Sequence, residues 1–396
     1  MLTLDDPNLS IDFLPINEKL KKIREMAMPP FVGHTPDISW LKEKAEEYSH
    51  YNNFIIIGNG GSVNNSRAFY GSLYTEKNLC FVTTMEPGFL GKVSEKYTKK
   101  DTLVIAISKS GTTIGVLESL MFFINKNYNV VGITQNSGTL YDICQKKGYD
   151  VIEHPEVGGR YSARTSCALF PAALLGIDLE KLETGFRSAY EKFSPAKNIE
   201  QNPALRLAAE LYLLEKAGKV DVFMPVYSSQ LSAFLPIIIQ LMHESFGKNG
   251  QGQSYFGDLA PESQHHTNQR FFGGRDNICG VFMKCLMEEN MAINVAEELK
   301  DIDIKGNKLQ VLDKIPYSKS LQFEFEGTYQ DAIENNIPVA CVSLQNNSEE
   351  SIGEFMGFWQ YVAVYASILR GVNPYDQPQV ESSKRLSFEK RQNFEQ

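Results

Sequence analysis

Hydroxyl side chains and one lysine are concentrated in a short loop that follows the apolar run 103–107. The loop residues that carry these groups are Ser108, Lys109, Ser110, Thr112 and Thr113. Hydroxyl and ammonium donors at the start of a helix, beside its free N–H groups, bind anions such as phosphate. Serine and threonine are also ordinary N-caps, but four hydroxyls and a lysine in six residues exceed what capping needs. The loop is therefore interpreted as a phosphate-binding site.

A second loop, 58–62, brings glycine and serine together after the apolar run 54–57. Gly60 and Gly61 permit close approach of the backbone to a ligand, and Ser62 follows them. A dinucleotide fingerprint would need its third glycine at the position of Val63, so this loop does not indicate a nicotinamide site. The alternative interpretation is a tight strand-to-helix turn. Ligand contact is favoured because two such loops are present.

Two stretches supply groups for electrostatic and acid–base chemistry. Arg160 follows Gly158 and Gly159, so its planar guanidinium can be presented to an oxyanion; the alternative is an arginine in a surface turn. Glu244 ends an apolar helical pattern, where a carboxylate can serve as a base; the alternative is a helix-terminal carboxylate that faces water. Gly247 stands where an H-E-x-x-H motif needs its second histidine, which excludes that zinc motif.

Two later stretches carry further polar groups. His265 and His266 are adjacent, and one of them is interpreted as a proton-handling group; a surface histidine pair is the alternative. No ligand spacing supports a metal site built from this pair and Glu244. Gln377 and Lys384 lie in a stretch with two prolines that begins a new helix, which alone is an ordinary helix start.

The elements that position these groups are predicted from apolar runs. Strands are expected at 54–57, 80–84, 103–107, 130–134, 222–226, 281–284, 321–325 and 339–344. Helical patterns separate most of them, and this alternation predicts parallel sheets covered on both faces. Ligands bind at the carboxyl ends of the strands in such sheets, so the loops 58–62 and 108–113 are expected to face one crevice.

The order of these elements predicts two α/β domains. We expect a helical lead-in over residues 1–50, a first domain over 51–178, a helical connection over 179–202, a second domain over 203–372, and a C-terminal helix or tail over 373–396 that carries Lys384.

Composition narrows the class of protein. The chain has 396 residues, 42% of them hydrophobic and 22% charged, which is typical of a globular protein. Its net charge of −9 argues against a nucleic-acid partner. The six cysteines show no C-x-x-C pair and are interpreted as reduced core residues of a cytoplasmic protein. No apolar run predicts export or membrane insertion.

Taken together, these motifs resemble those of the phosphoglucose isomerase family, which is built from two sugar-isomerase (SIS) domains. The motifs are G-x-G-G-S at 58–62, S-K-[ST]-x-T-T at 108–113, G-G-R-Y-S at 158–162, E-S-x-G-K at 244–248, Q-H-x-x-x-Q at 264–269 and [FY]-D-Q-x-x-V-E-x-x-K at 375–384. The implied fold is α/β, with two three-layer αβα sandwich domains and mainly parallel sheets. Gln379 stands where the last motif usually has glycine or alanine.

The resemblance also implies roles for individual residues. Glu244 moves a proton between C2 and C1, Arg160 stabilises the developing enediolate, and His265 and Lys384 assist ring opening. The implied substrate contacts are Gly60, Gly61, Ser62, Ser108, Lys109, Ser110, Thr112, Thr113, Gly159 and Gln377, the last of them near the phosphate. The histidine comes from the neighbouring subunit in this family, which implies a homodimer. Whether His265 or His266 has this role remains open.

The implied activity is the reversible isomerisation of glucose 6-phosphate and fructose 6-phosphate in glycolysis and gluconeogenesis. It needs a base, an electrophile and a phosphate anchor, but no redox cofactor and no metal. One alternative is a bifunctional phosphoglucose/phosphomannose isomerase. Another is a non-catalytic SIS regulator that binds sugar phosphates. The joint presence of Glu244, Arg160, His265 and Lys384 argues against the regulator.

Overall fold

The computed structural model describes residues 2–9, 12–286 and 291–394. The strands are β1 (Leu2–Asp5), β2 (Asn53–Ile57), β3 (Asn78–Val82), β4 (Thr102–Ile107), β5 (Asn129–Thr134), β6 (Asp150–Glu153), β7 (Asp221–Tyr227), β8 (Ser254–Leu259), β9 (Ile278–Cys285), β10 (Asp303–Ile304), β11 (Asn307–Lys308) and β12 (Val339–Leu344). The helices are α1 (Asn17–Arg24), α2 (Pro30–Gly33), α3 (Ile38–Glu46), α4 (Gly61–Ser72), α5 (Pro87–Lys96), α6 (Ile114–Asn125), α7 (Thr139–Lys147), α8 (Ser166–Leu174), α9 (Leu179–Lys192), α10 (Pro203–Lys216), α11 (Leu235–Phe246), α12 (Thr267–Gly273), α13 (Tyr317–Glu334), α14 (Glu349–Arg370) and α15 (Glu381–Gln392).

The first sheet has the strand order β3-β2-β4-β5-β6, and all its neighbours are parallel. All six residues of β4 are buried, as the continuous apolar run predicts for a central strand covered on both faces. Alternate residues of β4 enter different apolar clusters: Leu103 and Ile105 belong to one cluster, and Val104 and Ala106 to the other. The sheet is therefore the middle layer of an αβα sandwich, as predicted.

The second sheet has the order β1-β12-β9-β7-β8 and is parallel except for β1. The N-terminal strand β1 pairs antiparallel with β12, with Leu2 opposite Leu344. The prediction of a helical lead-in is therefore wrong for residues 2–5. A strand of four residues shows too little periodicity to be recognised, and its place in the sheet depends on a partner more than 300 residues away.

The predicted strand at 321–325 is also wrong, because these residues lie within α13. The alternation of Leu321, Phe323 and Phe325 resembles a half-buried strand when only five residues are considered. In the structure Phe323 is 48% exposed, while Phe325 and Tyr329, four residues apart, are buried on one helical face. The helical period becomes visible only over the full length of the helix.

The long helix α14 packs against α9, α10 and α11 and also contacts β1 of the second sheet. The contact between α9 and α14 depends on two glycines. A Cβ atom on Gly185 would lie 2.0 Å from the Glu350 carbonyl oxygen, and one on Gly353 would lie 2.3 Å from the Leu182 oxygen. The two helices therefore approach at backbone distance. Among the described residues, no helix combines the length and apolar character that a membrane span requires.

Candidate active site

The carboxyl ends of two neighbouring parallel strands bring the two predicted ligand loops together. β2 and β4 are paired in register, so the loop after Ile57 and the loop after Ile107 leave the same edge of the sheet. Gly115, in the first turn of α6, lies close to the first of these loops, since a Cβ atom there would be 3.7 Å from the Asn59 side chain. The two loops therefore lie side by side at one edge of the sheet, which is where the predicted crevice would be.

The hydroxyl loop, residues 108–113, is organised by contacts between its own side chains. The Ser108 and Thr113 hydroxyls are 2.8 Å apart, and the Ser110 and Thr112 hydroxyls are 2.9 Å apart. Gly111 has a positive φ of 66°, and a Cβ atom there would lie 3.1 Å from the Thr134 hydroxyl. Glycine thus permits the turn that presents exposed hydroxyls at the N-terminus of α6.

Lys109 contributes charge at the edge of this loop. Its ammonium group forms an ion pair of 2.8 Å with Glu156, and this hydrogen bond holds the pKa of the Glu156 carboxyl below its usual value. Glu156 is 79% exposed and also accepts a hydrogen bond from Gln135. A bound phosphate would compete with a solvent-exposed carboxylate for Lys109, and exposed pairs of this kind are weak.

The glycine loop, residues 58–62, packs against the segment that carries Arg160. A Cβ atom on Gly61 would lie 2.1 Å from the carbonyl carbon and oxygen of Gly159. The Asn65 amide fixes this contact by donating to the Gly61 oxygen (2.8 Å) and to the Gly159 oxygen (3.1 Å). Gly61 therefore serves a contact between two backbone segments, which sequence reasoning did not identify. Asn65, four residues after Gly61 on α4, was missed as well.

Gly61→Ala is expected to lower the free energy of unfolding by about 1–3 kcal/mol, because the methyl group would push the Gly159 segment away. Denaturant unfolding measures this change. Gly91→Ala is the matched control, since Gly91 lies in α5 with open space around its Cβ position. The control should be neutral or up to about 1 kcal/mol more stable. Equal effects of the two substitutions would contradict the proposed contact.

Arg160 is 2% exposed and uses all five of its N–H donors. Nε donates to the Ser245 hydroxyl (2.9 Å), and Nη2 donates to the carbonyl oxygens of Pro374 (2.5 Å) and Asp376 (3.1 Å). Nη1 donates to Glu244 Oε2 (3.1 Å) and to Gln377 Oε1 (2.8 Å). The guanidinium therefore joins its own segment to two others, residues 244–245 and 374–377. Only Nη1 is directed at side chains that a ligand could replace.

Glu244 lies in the last turn of α11, with its side chain 32% exposed. One carboxylate oxygen accepts from Arg160, and the other accepts from the Gln240 amide at 3.0 Å. Gln240 is one helical turn earlier on the same face. The spacing of four residues was the available signal for Gln240, but sequence reasoning missed it. The carboxylate is thus held in a defined orientation while part of it stays accessible.

Lys248 fastens the C-terminal segment that reaches Arg160. Lys248 is 7% exposed, and its ammonium group donates to the Asn373 oxygen (2.5 Å), the Asp376 oxygen (2.7 Å) and the Asp376 carboxylate (2.6 Å). The last of these bonds holds the pKa of Asp376 below its usual value. The segment held in this way places Gln377 on Arg160, beside Glu244. Sequence reasoning gave no role to Lys248.

The other two predicted catalytic residues lie outside this cluster in the single chain. His265 is exposed at the end of the 3-10 helix Glu262–His265, and the adjacent His266 contacts the Thr267 hydroxyl at 2.7 Å. Lys384 is 63% exposed on α15 and pairs with Glu381 at 2.8 Å. The structure thus brings together Arg160, Glu244 and Gln377, but leaves His265 and Lys384 on the surface.

Within the described part of the chain, no cluster of three or more histidine, cysteine, aspartate or glutamate side chains has the geometry to hold a metal ion.

The two mainly parallel sheets, with a hydroxyl loop at the edge of the first, define a sugar-isomerase (SIS) fold. Solved structures with this fold include a hypothetical protein from Thermus thermophilus, with a TM-score of 0.87, 25% identity and full coverage of both chains. Another is a glucose-6-phosphate isomerase from Chlamydia trachomatis, with a TM-score of 0.80, 18% identity and coverage of 99% of this chain and 89% of that one. The predicted fold class is confirmed.

The family model of phosphoglucose isomerase matches residues 28–396, and the chain belongs to this family. A curated relative is the probable glucose-6-phosphate isomerase of Methanococcus maripaludis, which is 31% identical over 363 residues. The match covers 87% of this chain and 80% of the relative. The family resemblance read from the motifs is therefore confirmed.

Proposed function

We propose that this chain interconverts glucose 6-phosphate and fructose 6-phosphate by proton transfer between C2 and C1. The observation that carries the proposal is the contact of 3.1 Å between the Glu244 carboxylate and the buried Arg160 guanidinium. A carboxylate and a fixed positive charge are the two groups that enediolate formation requires. Family membership and the curated relative named a probable glucose-6-phosphate isomerase support the same activity.

The mechanism assigns one task to each part of the crevice. The hydroxyl loop binds the phosphate and orients the substrate. The reacting carbon atoms are then held beside Glu244 before proton transfer begins, which lowers the entropy cost of the reaction. Glu244 takes the proton from C2 of the open-chain aldose and returns it to C1, while the hydroxyl proton on O2 passes to O1 and the C=O bond moves from C1 to C2. No electrons leave the substrate, so no oxidant or reductant is consumed.

Arg160 stabilises the negative charge that develops on the substrate oxygens. Because its five donors are already engaged, one Nη1–H bond must pass from Gln377 or Glu244 to the substrate. Breaking the hydrogen bond to the neutral Gln377 amide costs less free energy than breaking the one to the Glu244 carboxylate. We therefore propose that a substrate oxygen takes the place of Gln377 Oε1 as the acceptor for Arg160 Nη1.

Ring opening is assigned to His265 and Lys384, in accordance with the family resemblance. Both side chains are exposed in the single chain, which leaves them accessible to a second molecule or to a bound substrate. We propose a homodimer in which His265 of one subunit completes the site of the other. Lys384 would act from α15, which contacts α6 through the Arg391–Glu118 ion pair.

A coupled assay with purified protein tests the proposed activity. Glucose 6-phosphate and fructose 6-phosphate are each expected to be converted into the other. With the reaction run in heavy water, deuterium should appear on C1 or C2 of the product. Additional turnover of mannose 6-phosphate would support the bifunctional alternative. Binding of these sugar phosphates without turnover would contradict the proposed activity and favour a regulator.

Mixing two inactive variants tests the shared site. Random pairing of Glu244→Gln chains with His265→Ala chains gives hybrid dimers in which one site contains both native residues, so about a quarter of the wild-type activity should return. The two variants are co-expressed and assayed against each variant alone. Recovery of no activity from a mixture of dimers would contradict the sharing of His265 between subunits.

A further inference from the structure

The Glu244 carboxylate is the end of a chain of hydrogen bonds that begins on α4. Arg67 Nη1 donates to Asn64 Oδ1 at 3.4 Å. Asn64 Nδ2 donates to Gln240 Oε1 at 2.9 Å. Gln240 Nε2 then donates to Glu244 Oε1 at 3.0 Å. We refer to Arg67, Asn64, Gln240 and Glu244, with these three bonds, as the amide relay.

The direction of the amide relay is fixed at both ends. A guanidinium group only donates, so Arg67 requires the carbonyl oxygen of Asn64 and leaves the Asn64 N–H₂ group for Gln240. An ionised carboxylate only accepts, so Glu244 requires the N–H₂ group of Gln240. Arg67 is itself held in place, with its guanidinium 5.1 Å from the centre of the Phe81 ring.

Gln240 has little freedom to leave this arrangement. A Cβ atom on Gly60 would lie 2.8 Å from Gln240 Nε2, so the glycine loop closes over the amide. The motion that matters for Glu244 is rotation of the amide group about the Cγ–Cδ bond of Gln240. This rotation exchanges oxygen and nitrogen and would place the carbonyl oxygen next to Glu244. Asn64 opposes that rotation because it offers Gln240 a donor and not an acceptor.

We propose that Asn64 is a positioning residue for proton transfer. It holds Gln240 so that an N–H group, not a carbonyl oxygen, faces Glu244. An N–H donor favours the ionised carboxylate, which is the form that takes a proton from carbon, whereas a carbonyl oxygen would favour the protonated form. This inference rests on the proposed isomerase function, and Asn64 lies outside the family motif at 58–62.

Other charged and titratable groups surround Glu244, and they act on it without passing through Asn64 or Gln240. The 3-10 helix Gly159–Arg164 contributes Arg160 and Tyr161, and Lys248 and Asp376 lie beyond the guanidinium. Within the described part of the chain, the side-chain hydrogen bonds of Asn64 go to Arg67 and Gln240 and to none of these four groups. A substitution at Asn64 is therefore expected to act on Glu244 through the Gln240 amide.

Asn64→Asp tests the proposal because it reverses the relay. The new carboxylate can accept from Arg67 and from Gln240 Nε2, which turns the Gln240 carbonyl towards Glu244. We expect the acid limb of the pH profile of kcat/KM to move up by about one pH unit, and kcat/KM on that limb to fall about tenfold. Arg67→Leu removes the donor that orients Asn64 and should move the limb in the same direction by less.

Asn198→Asp is the matched control for the added negative charge. Asn198 is exposed on the loop after α9, and an aspartate there can still accept from the Gln201 N–H, as Asn198 does at 3.1 Å. Its pH profile should equal that of the unmodified protein. Asn64→Leu is measured beside Asn64→Asp, since the loss of the donor alone also frees the amide and should move the limb upward without an added charge.

The outcomes separate the relay from the proposed activity. A shifted acid limb in both Asn64→Asp and the uncharged Asn64→Leu, with the control unshifted, supports the relay, because Asn64→Leu adds no negative charge near Glu244. An active enzyme whose kcat/KM falls equally at every pH overturns the relay and leaves the isomerase function intact. An unmodified protein that does not isomerise either hexose phosphate overturns the proposed function, and the relay with it.

Discussion

Glu244→Gln is expected to lower kcat for hexose-phosphate isomerisation by about 10²–10⁴-fold, the usual contribution of a general base. The glutamine oxygen can still accept from Arg160 Nη1, as the carboxylate does at 3.1 Å, so the Arg160 contact should persist, while the bond from Gln240 is lost because two N–H₂ groups then face each other. The amide cannot take a proton from carbon. Steady-state kinetics with glucose 6-phosphate and fructose 6-phosphate measure the effect.

Binding separates the loss of the base from the loss of the site. Sorbitol 6-phosphate has no carbonyl group and cannot isomerise, so its affinity by calorimetry reports the crevice alone. The affinity should change less than about tenfold in Glu244→Gln, since the hydroxyl loop is untouched. Glu95→Gln, an exposed position on α5, is the control for the lost charge. Turnover that survives in Glu244→Gln would show that another group is the base.

Arg160→Lys is expected to lower kcat/KM by about 10²–10³-fold, the range found when a donor to a developing oxyanion is removed. A lysine ammonium carries the charge but presents its donors at one point, so it cannot serve Ser245, Glu244 and the Pro374 carbonyl together. The buried carbonyl oxygens that lose a partner should also lower the free energy of unfolding by about 2–4 kcal/mol.

Arg164→Lys distinguishes catalysis from stability. Arg164 lies in the same 3-10 helix, is 4% exposed, and donates to Glu183 (2.7 Å) and to the His34 oxygen (2.6 Å). This variant should lose stability but keep its kcat, because its contacts hold α2 and α9 and not the crevice. If both arginine variants lose stability and kcat to the same degree, Arg160 has a structural role only.

Much of the first domain's crevice could be predicted because its signals are local. The apolar run 103–107 predicts β4, and the hydroxyl groups that follow it predict the anion loop, since both depend on neighbours in sequence. The element that Leu321–Phe325 belongs to could not be predicted in the same way. Its helical period appears only when the segment is extended to Tyr329 and beyond.

The contacts between distant segments could not be derived from spacing. Gln377 meets Arg160 although 217 positions separate them in the chain, and the family motif alone suggested a place near the phosphate. Gly61 was interpreted as a ligand contact. In the structure, the backbone of Gly159 leaves no space for a side chain at this position. Asn64 carries no motif signal, because its role depends on an amide from another helix.

A crystal structure with fructose 6-phosphate bound would test most directly whether one crevice holds phosphate, carboxylate and guanidinium. The account predicts the phosphate on the Ser108–Thr113 loop, C1 and C2 within about 3.5 Å of a Glu244 oxygen, and an Arg160 nitrogen on the substrate oxygens. Phosphate bound elsewhere, or C1 and C2 far from Glu244 in both subunits, would contradict it.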